Sequence, residues 1–134
     1  MSALHHICCT WNPELPDSRC IAIRRQARRH LGLELKGLRH VSVYAVKADL
    51  DAAALQRLAH EGLSDAVAQQ VGLDGLPAGC AGFDSFILVG KLPGTTDDEG
   101  LSAQRTLHDL LGVPFTPAPQ EVFASDLYLL EGKF

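Results

Sequence analysis

The sequence lacks the long apolar runs that cross membranes. Its uninterrupted hydrophobic stretches are only a few residues long, whereas a transmembrane helix needs roughly 20 apolar residues. Residues 1–11 also lack the basic start and the apolar core of a secretory signal. We therefore expect a cytoplasmic protein without a membrane-spanning segment.

Aromatic residues and positive charge are scarce as well. Phe, Trp and Tyr make up only 6% of the 134 residues, and the formal net charge is −4. Proteins that bind single-stranded nucleic acids use aromatic stacking surfaces in basic grooves, so this composition argues against nucleic-acid binding. The 46% hydrophobic and 21% charged residues are instead typical of a globular chain, with room for one domain or two small ones.

Sequence motifs of common enzyme classes are missing too. The chain has no Gly-x-Ser-x-Gly, no P-loop and no Gly-x-Gly-x-x-Gly pattern. The usual signatures of acyl transfer and nucleotide binding are therefore absent. We can name no catalytic residue from the sequence.

What the sequence does have is an uneven charge distribution. Residues 1–67 carry a net charge of +2, and residues 68–134 carry −6. Halves of opposite sign can dock on each other or face different partners. The strongest basic cluster stands in a predicted helix and forms a solvated or partner-binding face. It consists of Arg24, Arg25, Arg28 and Arg29.

Histidines and cysteines near the start of the chain allow two interpretations. Imidazole and thiolate groups are ligands for zinc and copper. In a strand, however, neighbouring side chains point to opposite faces, and no Cys-x-x-Cys motif completes a tetrahedral set. We favour a structural strand with free, reduced thiols, and a metal site is the alternative. The residues concerned are His5, His6, Cys8 and Cys9.

The hydrophobic pattern of the first half predicts the order β-α-β-α-β. This is the order of a split βαβ, or ferredoxin-like, unit within an α+β fold. The predicted elements are a strand at 4–11, a helix capped by Asp17 that runs to about Leu31 and is closed by Gly32, a strand or tight pair of strands at 38–49, a helix at 52–60 ended by Gly62, and a strand at 66–73.

A second series of elements follows a segment rich in glycine. Residues 74–82 predict a linker, and strands at 86–89 and 122–130 flank a helix at 96–111 that Gly112 ends. Thr96 and Glu99 predict a capping box at the helix start, with an acidic metal site as the alternative.

The two halves of the chain can be aligned with each other. Placing Ile7 on Ile87 aligns similar residues without a gap, and an insertion of four residues at 116–119 then brings 43–46 onto 127–130. We call the alignment that places residue 7 on residue 87 the first offset. The alignment that places residues 43–46 on 127–130 is the second offset. The pairs at the first offset include Ile7 and Ile87, Asp17 and Asp97, Arg25 and Arg105, and Gly32 and Gly112.

From this repeat we infer a duplicated unit. One copy occupies 1–73, a linker occupies 74–82, and an incomplete copy occupies 83–134, with the two copies packed together as one domain. Either a longer polypeptide or a partner is expected to supply the missing helix and strand.

These segments resemble a known family. Residues 93–100, with the sequence PGTTDDEG, follow a strand and precede Leu-Leu-Gly at 110–112 and Tyr-Leu-Leu at 128–130. This arrangement is similar to the PurS-type domain of phosphoribosylformylglycinamidine synthase. The first copy resembles it more loosely, at 31–33, 38–39, 43–46 and 65–69. Where the family often has Gly-Lys between the middle strands, this chain has Arg-His-Val at 39–41.

The resemblance implies a structural role in purine biosynthesis. The family enzyme is a ligase that converts formylglycinamide ribonucleotide to the amidine with ATP, magnesium and ammonia drawn from glutamine. The PurS-type part is similar to a non-catalytic clamp, as a homodimer or a tandem duplication, that holds the glutaminase against the synthetase. ATP and magnesium then belong to the synthetase, and this chain needs no cofactor. The candidate partner contacts are Arg24, Arg25, Arg28, Arg29 and, in the second copy, Arg105.

Two rival hypotheses come from other classes of protein. One is a ferredoxin-like regulatory module that binds a small metabolite, or a metal through the histidines and cysteines of residues 5–9. The other is an independent cysteine enzyme, which requires a thiol with a depressed pKa.

Overall fold

The computed structural model describes residues 4–92 and 95–132. Pro93 and Gly94, which belong to the segment that carries the family resemblance, lie outside these ranges, as do the outermost residues of the two predicted units. No helix in the described ranges has both the length and the apolar character needed to cross a membrane.

In the described residues, five strands form one antiparallel sheet, and the helices pack on it. The strands are β1 (Leu4–Trp11), β2 (Gly37–Lys47), β3 (Gln69–Leu73), β4 (Ser85–Val89) and β5 (Val122–Glu131). Their order across the sheet is β3-β1-β2-β5-β4, and all neighbours are antiparallel. The helices are α1 (Ser18–Leu31), α2 (Ala52–Arg57) and α3 (Asp98–Leu111). The predicted α+β class is thereby confirmed.

Local signals place β1 and α1 at their predicted positions. The carboxylate of Asp17 accepts hydrogen bonds from the N–H groups of Arg19 and Cys20 and caps α1. Gly32 ends the helix in the left-handed region, with φ 64°, which glycine adopts without steric cost. β2 is one continuous strand, so a tight pair of strands at 38–49 is excluded.

The helix that begins at Ala52 differs from its prediction at its end. It continues beyond Arg57 as a π-helical turn, Leu58–Leu63, and Gly62 lies inside this turn rather than ending it. A Cβ atom at Gly62 would lie 2.6 Å from Cγ2 of Thr106 on α3. The π-helical turn therefore lies where α3 approaches Gly62 closely. Local sequence patterns do not encode this contact between helices.

The start of α3 is also different from its prediction. The helix begins at Asp98, and Asp97 is its N-cap, because the Asp97 carboxylate accepts a hydrogen bond from the N–H of Gly100 at 2.9 Å. The predicted capping box of Thr96 and Glu99 is therefore wrong. Asp97 is buried and also accepts from the N–H of Ala124 in β5 at 2.9 Å, so one carboxylate serves the helix and the sheet.

The strand register repeats along the chain. Ile7 pairs with Tyr44 in the antiparallel pair β1–β2, and Ile87 pairs with Tyr128 in the antiparallel pair β4–β5. A helix connects the two strands of each pair, α1 in the first and α3 in the second. We call these two strand pairs the first and the second hairpin. The first strands of the two hairpins are thus related by the first offset, and the second strands by the second offset, as in the sequence alignment. The helices agree, because both ends of α1 fall on the ends of α3 at the first offset.

Each face of the sheet has its own core. On the face that carries α2 and α3, which we call the helix face, Ile7 and Cys9 of β1 pack with residues of both helices. On the opposite face, which we call the loop face, Cys8 and Val41 pack with Cys80 and Phe83. The segment 74–82, predicted as a linker, thus contains a short 3₁₀ turn, Ala78–Cys80, that contributes to the second core.

Gly72 brings this loop close to the sheet. A Cβ atom at Gly72 would lie within 3 Å of three backbone atoms of Gly75, Leu76 and Pro77. Backbone atoms cannot turn aside as a flexible side chain does, so only glycine fits at this position of β3.

We expect Gly72→Ala to lower the free energy of unfolding by about 2–3 kcal/mol through overpacking. Gly75→Ala is the matched control, since a Cβ atom there meets nothing within 4 Å and its effect should stay within about 1 kcal/mol. Urea unfolding of both variants measures the difference. Equal stabilities would contradict the tight packing of the loop on β3.

Candidate functional site

Polar side chains gather where the first turn of α1 meets the helix face of the sheet. Arg19 lies in α1, His40 in β2, and Asp126 and Tyr128 in β5. His40 is paired with Tyr128, and Asp126 with Ser42, in the antiparallel β2–β5 ladder. Alternation along the strands places these four strand residues on one face, beside the helix that carries Arg19.

The carboxylate of Asp126 is the centre of this cluster. Its Oδ1 lies 2.7 Å from Nε2 of His40 and 3.2 Å from Nη1 of Arg19. Nη1 and Nε2 are themselves 2.9 Å apart. A guanidinium nitrogen only donates, and His40 donates to Asp126 when its proton is on Nε2. With that tautomer, one carboxylate oxygen accepts from both Arg19 and His40.

The surroundings hold these groups in place. His40 is buried, its ring centroid lies 5.1 Å from that of Tyr128, and its carbonyl accepts a 2.8 Å hydrogen bond from Thr10 Oγ1. Burial works against the charge of Arg19, but its interactions with Tyr128 and Asp126 outweigh burial and raise its pKa. The cluster is therefore a preformed ionic network.

A polar cleft of about 270 Å³ lies beside the network. Close to it, Cys20 of α1 places Sγ 3.4 Å from Oδ2 of Asp17, the N-cap of the same helix. The network joins α1 to β5 and so fixes the helix relative to the second hairpin. The cleft is lined by Cys9, Thr10, Trp11, Asp17, Ser18, Arg19, His40, Ser42 and Gln69.

The thiols do not have the property that a cysteine enzyme needs. Burial raises the pKa of Cys9 to about 11, and burial together with the nearby Asp17 carboxylate raises the pKa of Cys20 to about 11. Burial also raises the pKa values of Cys8 and Cys80. All four are free thiols, and a thiol with a raised pKa is a poor nucleophile at neutral pH.

The residues of the predicted metal site are divided between the two faces. Cys9 belongs to the helix-face core and Cys8 to the loop-face core. His5 on β1 places Nδ1 3.2 Å from Oδ2 of Asp74, and the same carboxylate accepts from the N–H of His6 at 2.8 Å. Within residues 4–92 and 95–132, no group of three or more potential ligands comes together.

The arginines of the predicted partner interface lie on two helices. Arg24 donates to the carbonyl of Leu35 at 2.7 Å, and Arg28 lies 3.3 Å from Glu34, so both hold the loop after α1. Arg25 and Arg29 are exposed on the same helix. Arg105 lies on α3, with its guanidinium 4.1 Å above the ring of Phe115. The four arginines of α1 therefore form one basic face. Arg105 lies on a different helix and is not part of that face.

Sequence reasoning missed the network around Asp126. Arg19, His40 and Asp126 lie far apart in the chain, and only the sheet brings them together. One signal was available, because Asp126 is the only charged residue of β5 before its last residue, Glu131. A charged residue at a core-facing strand position needs a partner, whereas the sequence marks His40 only as a departure from the family pattern.

Comparison of the chain with protein-family models, with curated proteins and with solved structures finds no match.

We expect Asp126→Ala to lower the free energy of unfolding by about 1–3 kcal/mol, because Arg19 and His40 lose the carboxylate with which both are in contact. Glu34→Ala removes the exposed ion pair with Arg28 and should cost less than about 0.5 kcal/mol. Urea unfolding of the two variants tests this. Equal losses would contradict a structural role for the network.

The raised thiol pKa values predict instability in alkaline solution. The unfolded chain releases its thiol protons near the ordinary pKa of 9.0, whereas folded Cys9 and Cys20 hold theirs until about 11. Their contribution is therefore complete below pH 9 and is lost as the pH rises to 11. At pH 8, native Cys9 and Cys20 should alkylate about 100-fold more slowly than in urea.

Thermal unfolding from pH 8 to 11 and iodoacetamide labelling measure both effects. In the control variant Cys9→Ala/Cys20→Ala, the unfolding temperature should fall less steeply over the same range. Rapid labelling of either thiol in the native protein would show that its pKa is not raised.

Proposed function

We propose that the chain is a non-catalytic structural part of phosphoribosylformylglycinamidine synthase, acting in the cytoplasm in purine biosynthesis. In this role it bridges the glutaminase and the ATP-dependent synthetase so that ammonia passes between them. The observation that carries the proposal is the repeated strand register, because a PurS-type clamp requires two similar units. The sequence resemblance of residues 93–100 and 128–130 to that family supports it.

Three features agree with a tandem duplication of ferredoxin-like units. The first offset, which relates the first strands of the two hairpins, also relates Asp17 to Asp97 and Gly32 to Gly112. Asp17 and Gly32 cap α1, and Asp97 and Gly112 cap α3. Both copies place their helix on the helix face. The copies meet at the β2–β5 ladder, where Ser42 is paired with Asp126, its counterpart at the second offset, as expected for two units about a local two-fold axis.

The chemistry of the chain suits a scaffold better than an enzyme. The carboxylate of Asp126 is paired with Arg19 and His40, and the four thiols have raised pKa values. The exposed basic face of α1 offers a surface for an acidic partner. We propose Arg24, Arg25, Arg28 and Arg29 as contacts of one partner and Arg105 as a contact of another.

Reconstitution with the synthetase and glutaminase of the same organism tests this function. The chain should co-elute with both proteins and be required for glutamine-driven, but not ammonia-driven, amidine formation. If both activities are unchanged without the chain and no complex forms, the proposal is wrong.

Charge reversal tests the basic face. Arg25→Glu/Arg29→Glu changes two exposed arginines for which the structure gives no internal hydrogen bond, and we expect it to weaken partner binding about tenfold or more. The variant Lys47→Glu/Arg57→Glu changes the net charge equally at exposed positions outside α1 and should bind normally. Equal binding by both variants would remove the α1 arginines from the interface.

A further inference from the structure

The outer strand β4 exposes a continuous apolar surface. Phe86, Ile87, Leu88 and Val89 are consecutive, and all four are exposed. One edge of β4 pairs with β5, and the other edge is the end of the sheet within the described residues. Native proteins usually protect such an edge with charge, proline or a covering segment. The edge of β4 is therefore available for pairing with another strand.

The corresponding residues of β1 are buried. At the first offset, Ile7 corresponds to Ile87 and Cys9 to Val89. Their exposed fractions are 0% and 2% in β1, against 54% and 48% in β4. β1 is covered because β3 pairs with its outer edge, from Ile7–Leu73 to Trp11–Gln69, and because Ile7 and Cys9 belong to a core that also contains Leu58.

The helices show the same contrast. Ala103 and Leu107 of α3 are 4% and 1% exposed, in the core that also contains Leu55, Leu58 and Ala59. Their counterparts at the first offset are Ile23 and Ala27 of α1, which remain partly exposed. The difference follows from the helix and π turn that lie beside α3 and have no equivalent beside α1 among the described residues.

The space beside α1 is an apolar groove of about 400 Å³ that reaches β4. In the first copy, residues 52–73 fill the equivalent space with a helix and complete the sheet with a strand. The groove is lined by Ile23, Ala27, Leu31, Leu33, Leu35, Ser85, Phe86, Ile87 and Leu130.

We propose that the free edge of β4 and the α1–β4 groove together form a docking site for a helix–strand segment of a partner protein. The partner strand pairs antiparallel with β4, as β3 does with β1, and the preceding amphipathic helix lays its apolar side in the groove. Strand addition of this kind is a common mode of recognition. The site does not depend on the purine-synthase assignment.

The charges beside the groove define the partner further. Leu33 and Leu35 line both this groove and the adjoining groove that contains Arg24 and Arg28. Acidic side chains on the flank that faces α1 would strengthen binding of a docking helix, and small or aliphatic residues fit the side that faces Ile87.

A second copy of the chain fits this surface less well. Edge-to-edge pairing of two β4 strands about a two-fold axis keeps the helix faces on the same side. It would bring two arginine-rich α1 helices onto one face, and it would supply no additional helix for either groove. We therefore commit to a helix–strand segment.

The probe is a copy of residues 51–74 appended after Phe134, which corresponds to Leu50 at the second offset. The control is the same extension with Leu55→Asp and Leu58→Asp in the appended copy only. In hydrogen exchange, the β4 amides that face away from β5 should exchange at least about tenfold more slowly with the probe than with the control. The unfolding temperature should also rise only with the probe.

A variant of the docking surface completes the test. Ile87→Asp in the main chain should abolish the protection while leaving the parent fold intact, since Ile87 is already exposed there. Equal exchange at β4 with the probe and with the control would overturn the proposal. A parent chain that is already dimeric by light scattering, with β4 protected before any extension, would overturn it in favour of a second copy.

Discussion

The β2–β5 ladder is the interaction on which the rest of the structure depends. Ten residue pairs, from Gly37–Glu131 to Val46–Val122, join two hairpins that are far apart in the sequence. The ladder lets α3 of the second hairpin pack over residues of the first, so that Ile7 and Leu107 share one core. It also brings His40 next to Asp126. Without this pairing, neither the main core nor the polar network would exist.

The two hairpins share a plan but use it differently. Around α3, the plan produces a buried core, in which the buried Gln104 bonds to backbone groups of the loop that leads into β5. Around α1, the corresponding position is Arg24, which reaches the carbonyl of Leu35 from an exposed helix. The same backbone geometry therefore supports a packed interior on one side and an accessible surface on the other.

Much of the fold could be predicted from local signals. Asp17 and Gly32 marked the ends of α1, and strand alternation separated Cys8 from Cys9. The internal repeat anticipated the hairpin register, a long-range feature. The π turn at Leu58–Leu63 was missed because it accompanies a contact between Gly62 and α3. The site at Asp126 was missed because its three members come from separate elements, and a sequence pattern does not show which strands become neighbours.

The exposed apolar edge of β4 makes the protein prone to aggregation. A segment with the sequence Phe-Ile-Leu-Val at the end of a sheet is a template for any extended chain, including other copies of itself. Molecules whose edge stays uncovered are the ones that aggregate or are removed by chaperones and proteases. In the proposed complex, the partner segment that covers β4 would therefore protect the protein from these fates, and protein made in excess of that partner would be lost.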